Sequence, residues 1–166
     1  MTENVMEILL STRNKLLDEI SGLSYEQLNK KLGVETWSVA QVCHHLYLTE
    51  NVFTQAISFG LTKSNGKNAE PKPVQLAVDR SQKAKAPDMV VPGDEPLELE
   101  KITELLNQSR NLFLEFYNQL EDKSILAEKS AKHPLFGYTP LDQWVDLIYL
   151  HEERHIEQIR EIKSLL

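Results

Sequence analysis

Two histidines one helical turn apart, His151 and His155, stand in the stretch HEERHIEQI, with Glu152 directly after the first. Residues four apart share one face of a helix, so two imidazoles at this spacing can bind one divalent ion. The pattern His-Glu-x-x-His also serves zinc peptidases, where the glutamate acts as general base. That chemistry asks for a third ligand downstream and for a strand edge to hold a peptide. Only eleven residues follow His155, and they continue the same helical pattern. Proteolysis is therefore disfavoured. Glu152 remains a weak catalytic candidate, about 100° around the helix from the histidines, where solvent or a subunit interface is the ordinary surrounding.

Hydrophobic spacing indicates the elements that would carry these side chains. Residues 3–22 place Val5, Leu9, Leu16, Leu17 and Ile20 on one face of an amphipathic helix that Gly22 ends. A short stretch opens at Ser24 and stops at Gly33. In TWSVAQV, Ser38 and Gln41 have the spacing of a capping box, and Trp37 and Val42 that of a hydrophobic staple. The helix started there runs to Gly60, with Val42, His45, Leu46, Thr49, Phe53 and Ala56 along one side. From Leu61 to Pro96, five prolines and no sustained period mark a long crossover. Residues 97–120 are helical again, with Ile102, Leu105, Leu106, Ser109, Leu112, Phe113 and Phe116 inward. The last helix reads as beginning with Thr139 as N-cap, Pro140 in its first position and Asp142 in its first turn. No strand is expected and no internal repeat stands out. The expectation is a single domain over residues 1–166, an all-α four-helix bundle with a long crossover between helices 2 and 3.

The inward line of the last helix reads Trp144, Ile148, His151, His155, Gln158 and Ile162. His45 lies inward on a facing helix, so a third imidazole can complete the pair. Three protein ligands with an open position is the arrangement of catalytic rather than structural zinc. His44 falls to the rim, and His133, before Pro134, reads as a solvated loop residue. Cys43, the only cysteine, reads as a small buried hydrophobe and excludes a disulfide framework or a cysteine-rich metal knuckle. A net charge of −7 without a basic stripe excludes a general affinity for nucleic acid. The absence of a long apolar run, or of a leader pattern in MTENVMEILL, leads to the expectation of a soluble cytoplasmic protein with no membrane association.

The blocks WSVAQVCHHL at 37–46 and HPLFGYTPLDQWVDLIYLHEERHIEQI at 133–159, in this order and spacing, make the sequence resemble the DinB superfamily of DinB/YfiT-like proteins. The resemblance implies an up-down-down-up bundle with a divalent metal (Zn, Ni, Fe or Mn) held by His45, His151 and His155. Some relatives carry an acidic residue one turn after the first ligand, where this chain has Leu48 and Thr49. It also implies homodimers and a small-molecule substrate. Some members transfer low-molecular-weight thiols such as bacillithiol, and others are described as metal-dependent hydrolases. The leading expectation is a thiol S-transferase acting on an electrophilic small molecule. The alternatives are a hydrolase using metal-activated water and a non-catalytic metal-binding stress protein. In the crossover, Arg80 and Lys83, with Asp79 and Lys85, are candidates for holding an anionic thiol cofactor or gating the site.

Overall fold

The computed structural model describes residues 4–63, 68–81 and 85–166. Four long helices make the bundle: α1 (Val5–Ile20), α3 (Val39–Thr62), α4 (Leu99–Asn118) and α6 (Leu141–Ser164). Two short helices, α2 (Tyr25–Asn29) and α5 (Ile125–Glu128), lie in the connections. The starts are written locally. Asn4 caps α1 by accepting from the Met6 amide at 3.0 Å. Ser38 and Gln41 form both halves of the capping box at 3.1 and 3.0 Å, and Trp37 packs against the core cluster that contains Val42.

α6 packs against both α1 and α3, and α3 against α4. The end of α3 comes so close to the start of α6 that a Cβ on Gly60 would sit 2.8 Å from Leu141 Cδ2 and 3.1 Å from the Ser130 carbonyl. Only glycine fits that crossing. The apolar interior divides into two clusters. One gathers Leu16, Ile20, Val42, Leu46, Leu106, Ile156 and Ile159; the other gathers Leu9, Ile57, Phe113, Trp144, Val145 and Ile148. Between them in sequence, on each of the four helices, lies one buried charge: Arg13, Glu50, Arg110 and Glu152.

Three expectations are corrected. First, a two-stranded antiparallel hairpin precedes α6, β1 (Ser130–His133) pairing with β2 (Gly137–Pro140) in the register Ser130↔Pro140. Gly137, at φ 74°, makes its turn. Four-residue strands are too short for an alternating pattern to register in sequence. Thr139 therefore belongs to β2, with its hydroxyl donating to the Gly137 carbonyl, and Pro140 occupies the N-cap position of α6. Second, the crossover is not featureless. Its 3-10 turns, Val74–Val78 and Asp88–Val90, pack on α6 and α3 and bury Val74 and Val90. Third, Leu112 faces outward at 49% exposure, whereas Arg110 faces inward. No described helix is long and apolar enough to cross a membrane.

Candidate metal centre

α3 delivers His45, and α6 delivers His151 and His155 one turn apart. His151 Nε2 lies 3.1 Å from His45 Nε2 and 3.0 Å from His155 Nε2. One nitrogen from each ring lies within 4.8 Å of the other two. The far nitrogens are held by acceptors. His45 Nδ1 faces the Val90 carbonyl at 2.8 Å, and His155 Nδ1 faces Gln158 Oε1 at 2.6 Å. A carbonyl oxygen can only accept, so these partners assign the proton of each ring to Nδ1. The Nε2 atoms of His45 and His155 are then bare lone pairs aimed at the third imidazole. A single proton on His151 can serve only one of them, so the three imidazoles cannot satisfy one another by hydrogen bonding, and the other donor near His45 Nε2 is the Thr49 hydroxyl at 3.5 Å. A divalent cation is the group that three converging imidazole nitrogens fit.

The electrostatics agree with a ligand role. His45 and His155 are 4% and 7% exposed, while His151 keeps part of its surface in contact with solvent. Burial lowers the pKa of His45 against the pull of the Val90 carbonyl. Burial, and then His45, push His155 down to about 3. His151 is held well below its ordinary value by burial first, then by His155 and His45. With their pKa values lowered, all three rings are uncharged at neutral pH, the form that binds metal.

The surroundings are largely aromatic. Trp37 lies 4.9 Å from the His45 ring, centroid to centroid, and Phe53 5.8 Å from His151. The Thr49 hydroxyl is 3.5 Å from His45 Nε2. His44 stays at the rim, where its Nδ1 accepts from the Gly93 amide. Cys43 is buried, which pushes its thiol up to about 12.

Two neighbours differ from expectation. Glu152 faces neither solvent nor a subunit surface: it is 3% exposed, accepting from Arg13 Nε at 2.7 Å and Arg110 Nη2 at 2.8 Å. Both of its oxygens are engaged, which leaves it ill placed to act as a base. His133 is not a solvated loop residue. It is half-buried at the end of β1 among Phe53, Phe136 and Trp144, and its Nδ1 accepts from the Leu135 and Phe136 amides. Burial lowers its pKa to about 4.

Of the crossover residues, Arg80 forms an ion pair with Glu161 at 2.9 Å, and its charge contributes to the lowered pKa of His155. It therefore lies on the His155 side of the cluster, engaged by α6. Asp79 and Lys85 are exposed, and Lys83 lies outside the described residues. Arg154, unremarked in sequence, donates to the carbonyls of Ala77 and Asp79 and so ties the crossover to α6.

The inward line predicted for α6 was centred too far to one side. Val145, Ile148, Glu152, Ile156 and Ile159 face the bundle interior, while His151 and Gln158 lie at its partly exposed edge. The missed signal was a charge on an apolar stripe, repeated on every long helix: Leu9-Arg13-Leu16, Leu46-Glu50-Ile57, Leu106-Arg110-Phe113 and Ile148-Glu152-Ile156.

Similarity to known proteins follows the same lines. The chain is 30% identical to protein YuaE of Bacillus subtilis (strain 168), covering 96% of this chain and 97% of that one. It is 29% identical to a Geobacillus thermodenitrificans (strain NG80-2) protein named "Putative metal-dependent hydrolase", covering 98% and 85%. In structure it resembles YfiT of Bacillus subtilis, with a TM-score of 0.64, 18% identity and coverage of 97% and 85%. It also resembles TT2238, a four-helix bundle protein, with a TM-score of 0.63, 17% identity and coverage of 95% and 96%. Residues 8–159 match the sequence profile of the DinB superfamily, and the chain belongs to that superfamily.

Proposed function

We propose that this protein is a divalent-metal-dependent enzyme that transfers a low-molecular-weight thiol, of the bacillithiol type, to an electrophilic small molecule. The observation that carries this reading is the convergence of three neutral imidazoles whose Nε2 atoms lack enough protons to satisfy one another. His45, His151 and His155 would hold the ion, with the Val90 carbonyl and Gln158 fixing the outer rings. When bound, the ion supplies acidity, lowering the pKa of a thiol or water at an open position. His151 is the least buried of the three residues. A thiol needs little further help to ionise near neutral pH, whereas water attack gains from a general base. Glu152 is locked between two guanidiniums and Thr49 stands beside His45, so neither supplies a free carboxylate. That favours the thiol.

The second reading is a hydrolase, favoured by the name of the Geobacillus relative and by YfiT, described as "a probable metal-dependent hydrolase". The two separate in one assay. Zinc- or nickel-loaded protein is incubated with monochlorobimane and bacillithiol, and in parallel with p-nitrophenyl acetate without thiol. Metal-dependent conjugation that disappears in His155→Ala supports the transferase. Ester cleavage without conjugation supports the hydrolase, and neither activity removes both readings.

We also infer the helix directions. Arg13 meets Glu152 and Glu19 meets Arg160, which supports parallel α1 and α6. His45 meets His155 at one end of the α3–α6 pair and Gly60 meets Leu141 at the other, which supports antiparallel packing. Arg13 reaches Leu106 and Arg110 reaches Leu9, an antiparallel relation of α1 and α4. Together these support the up-down-down-up order.

A further inference from the structure

The four buried charges form a closed circuit. Arg13 donates to Glu152 through Nε at 2.7 Å, to Glu50 through Nη2 at 3.4 Å and to the Leu106 carbonyl at 2.8 Å. Arg110 donates to Glu50 through Nε at 2.7 Å, to Glu152 through Nη2 at 2.8 Å and to the Leu9 carbonyl at 3.0 Å. The two arginines thus make the same three contacts with the roles of the glutamates exchanged. Each reaches the carbonyl four residues before the other arginine. The sequence repeats with the geometry. Leu-x-x-Thr-Arg-Asn at 9–14 of α1 matches Leu-x-x-Ser-Arg-Asn at 106–111 of α4. Gln41 with Tyr47-Leu48-Thr49-Glu50 on α3 matches Gln143 with Tyr149-Leu150-His151-Glu152 on α6. The chain therefore repeats a pair of long helices, α1 with α3 and α4 with α6, whose charges meet in the core, a repeat that did not stand out in the sequence.

In this correspondence Thr49 matches His151 and Glu50 matches Glu152, so the circuit adjoins the histidines directly. A cavity of about 10 Å³, lined by Arg13, Thr49, Glu50, His151 and Glu152 among others, lies where the two clusters meet. Glu152 sits between His151 and His155 on one helix, and Glu50 follows five residues after His45 on the other. The same two guanidiniums grip both glutamates. We infer that Arg13, Glu50, Arg110 and Glu152 act as positioning residues, fixing the rotation and register of α3 against α6 that bring His45 onto His151 and His155. A pair of apolar side chains could fill this volume, but it would not select one rotation of each helix. Fork-shaped guanidiniums with two fixed carboxylate partners do.

The inference rests on the metal-centre reading for its consequence, and its test separates the two. Glu50→Gln keeps the shape and removes the charge. Nitroxide labels on cysteines replacing the exposed Gln55 of α3 and Glu157 of α6 report the helix register by pulsed electron resonance without any metal. Cobalt(II) titration, read by its visible absorption, reports the site. Glu50→Gln is expected to shift or broaden the label distance and to weaken cobalt binding by about ten-fold or more. Leu28→Ala, a core loss remote from the circuit, is expected to leave both unchanged. Arg13→Lys, which keeps the charge but loses the fork, serves if Glu50→Gln fails to fold, with the same result expected. An unchanged distance distribution with unchanged cobalt affinity overturns the inference. If the parent binds no cobalt, the metal reading fails, and the label distances alone decide the positioning role.

Discussion

The bundle interior holds two polar clusters side by side, and they are opposites. In the circuit of Arg13, Glu50, Arg110 and Glu152, two cations meet two anions, and Nη1 of each arginine reaches a backbone carbonyl. The hydroxyl of Ser109 adds a bond to Glu50 at 2.6 Å. In the histidine cluster three groups of one kind point the same nitrogen at one another with too few protons to share. Burial of polar groups is tolerated when they are paired. The first cluster is paired within the chain, and its pattern belongs to structure. The second brings together three imidazole nitrogens that could hold a metal ion from outside the chain.

The comparison predicts opposite responses to truncation. Glu152→Leu leaves two guanidiniums buried with only one carboxylate between them. It should cost about 3–5 kcal/mol, because an uncompensated buried charge is worse than no pair at all. Urea unfolding of the metal-free protein measures this, and a loss under about 1 kcal/mol would mean that the circuit is not closed as described. The same reasoning explains the direction of the Arg13 pKa. Burial alone would lower it, but Glu152 and Glu50 outweigh burial and raise it.

The histidines should behave the other way. A divalent ion bound at a hundred times its dissociation constant stabilises the parent by about 2.7 kcal/mol. His45→Ala and His155→Ala should abolish that increment and stoichiometric metal in elemental analysis. Without metal, His155→Leu should change stability by only about 1 kcal/mol or less, since it replaces a bare lone pair with an apolar group and the Gln158 amide it releases stands at the partly exposed edge of the helix. Stoichiometric metal retained by both alanine variants would sink the site. A metal-free loss as large as that of Glu152→Leu would erase the contrast between the clusters.

The difference also explains what could be read before the structure. The clustering of His45, His151 and His155 was legible because imidazoles at helical spacing are rare on an inward face and carry their chemistry in their identity. Ser38 and Gln41 announced α3 because a capping box is local. The circuit stayed hidden because Arg and Glu are ordinarily solvated, and only the neighbours Leu9, Leu46, Leu106 and Ile148 marked these four as inward. Glu152 was misplaced by taking the histidines as the centre of the stripe. The hairpin at Ser130–Pro140 was illegible for a third reason: its strands are set by pairing and by the close approach of Gly60 to Leu141, neither of which leaves a local period.

His133 supplies the finest test, because it is a half-buried imidazole that belongs to neither cluster. Its pKa falls to about 4 through burial alone, with Nδ1 occupied by two backbone amides. The unfolded chain takes up this proton near pH 6.5, while the folded chain refuses it down to about pH 4. Stability should therefore decline as pH falls through that window, by about 1.4 kcal/mol per pH unit for each such proton at full slope. The metal-free cluster adds to the decline, since His155 is also held down to about 3. Saturating metal should suppress only the cluster's share, because a ligand nitrogen cannot also carry a proton. His133→Gln should reduce the slope by up to one proton in either state and leave metal binding unchanged. Stability measured by urea titration between pH 7 and pH 4, with and without zinc, separates the contributions. If zinc flattened the profile of the parent completely, His133 would have to be counted with the other three.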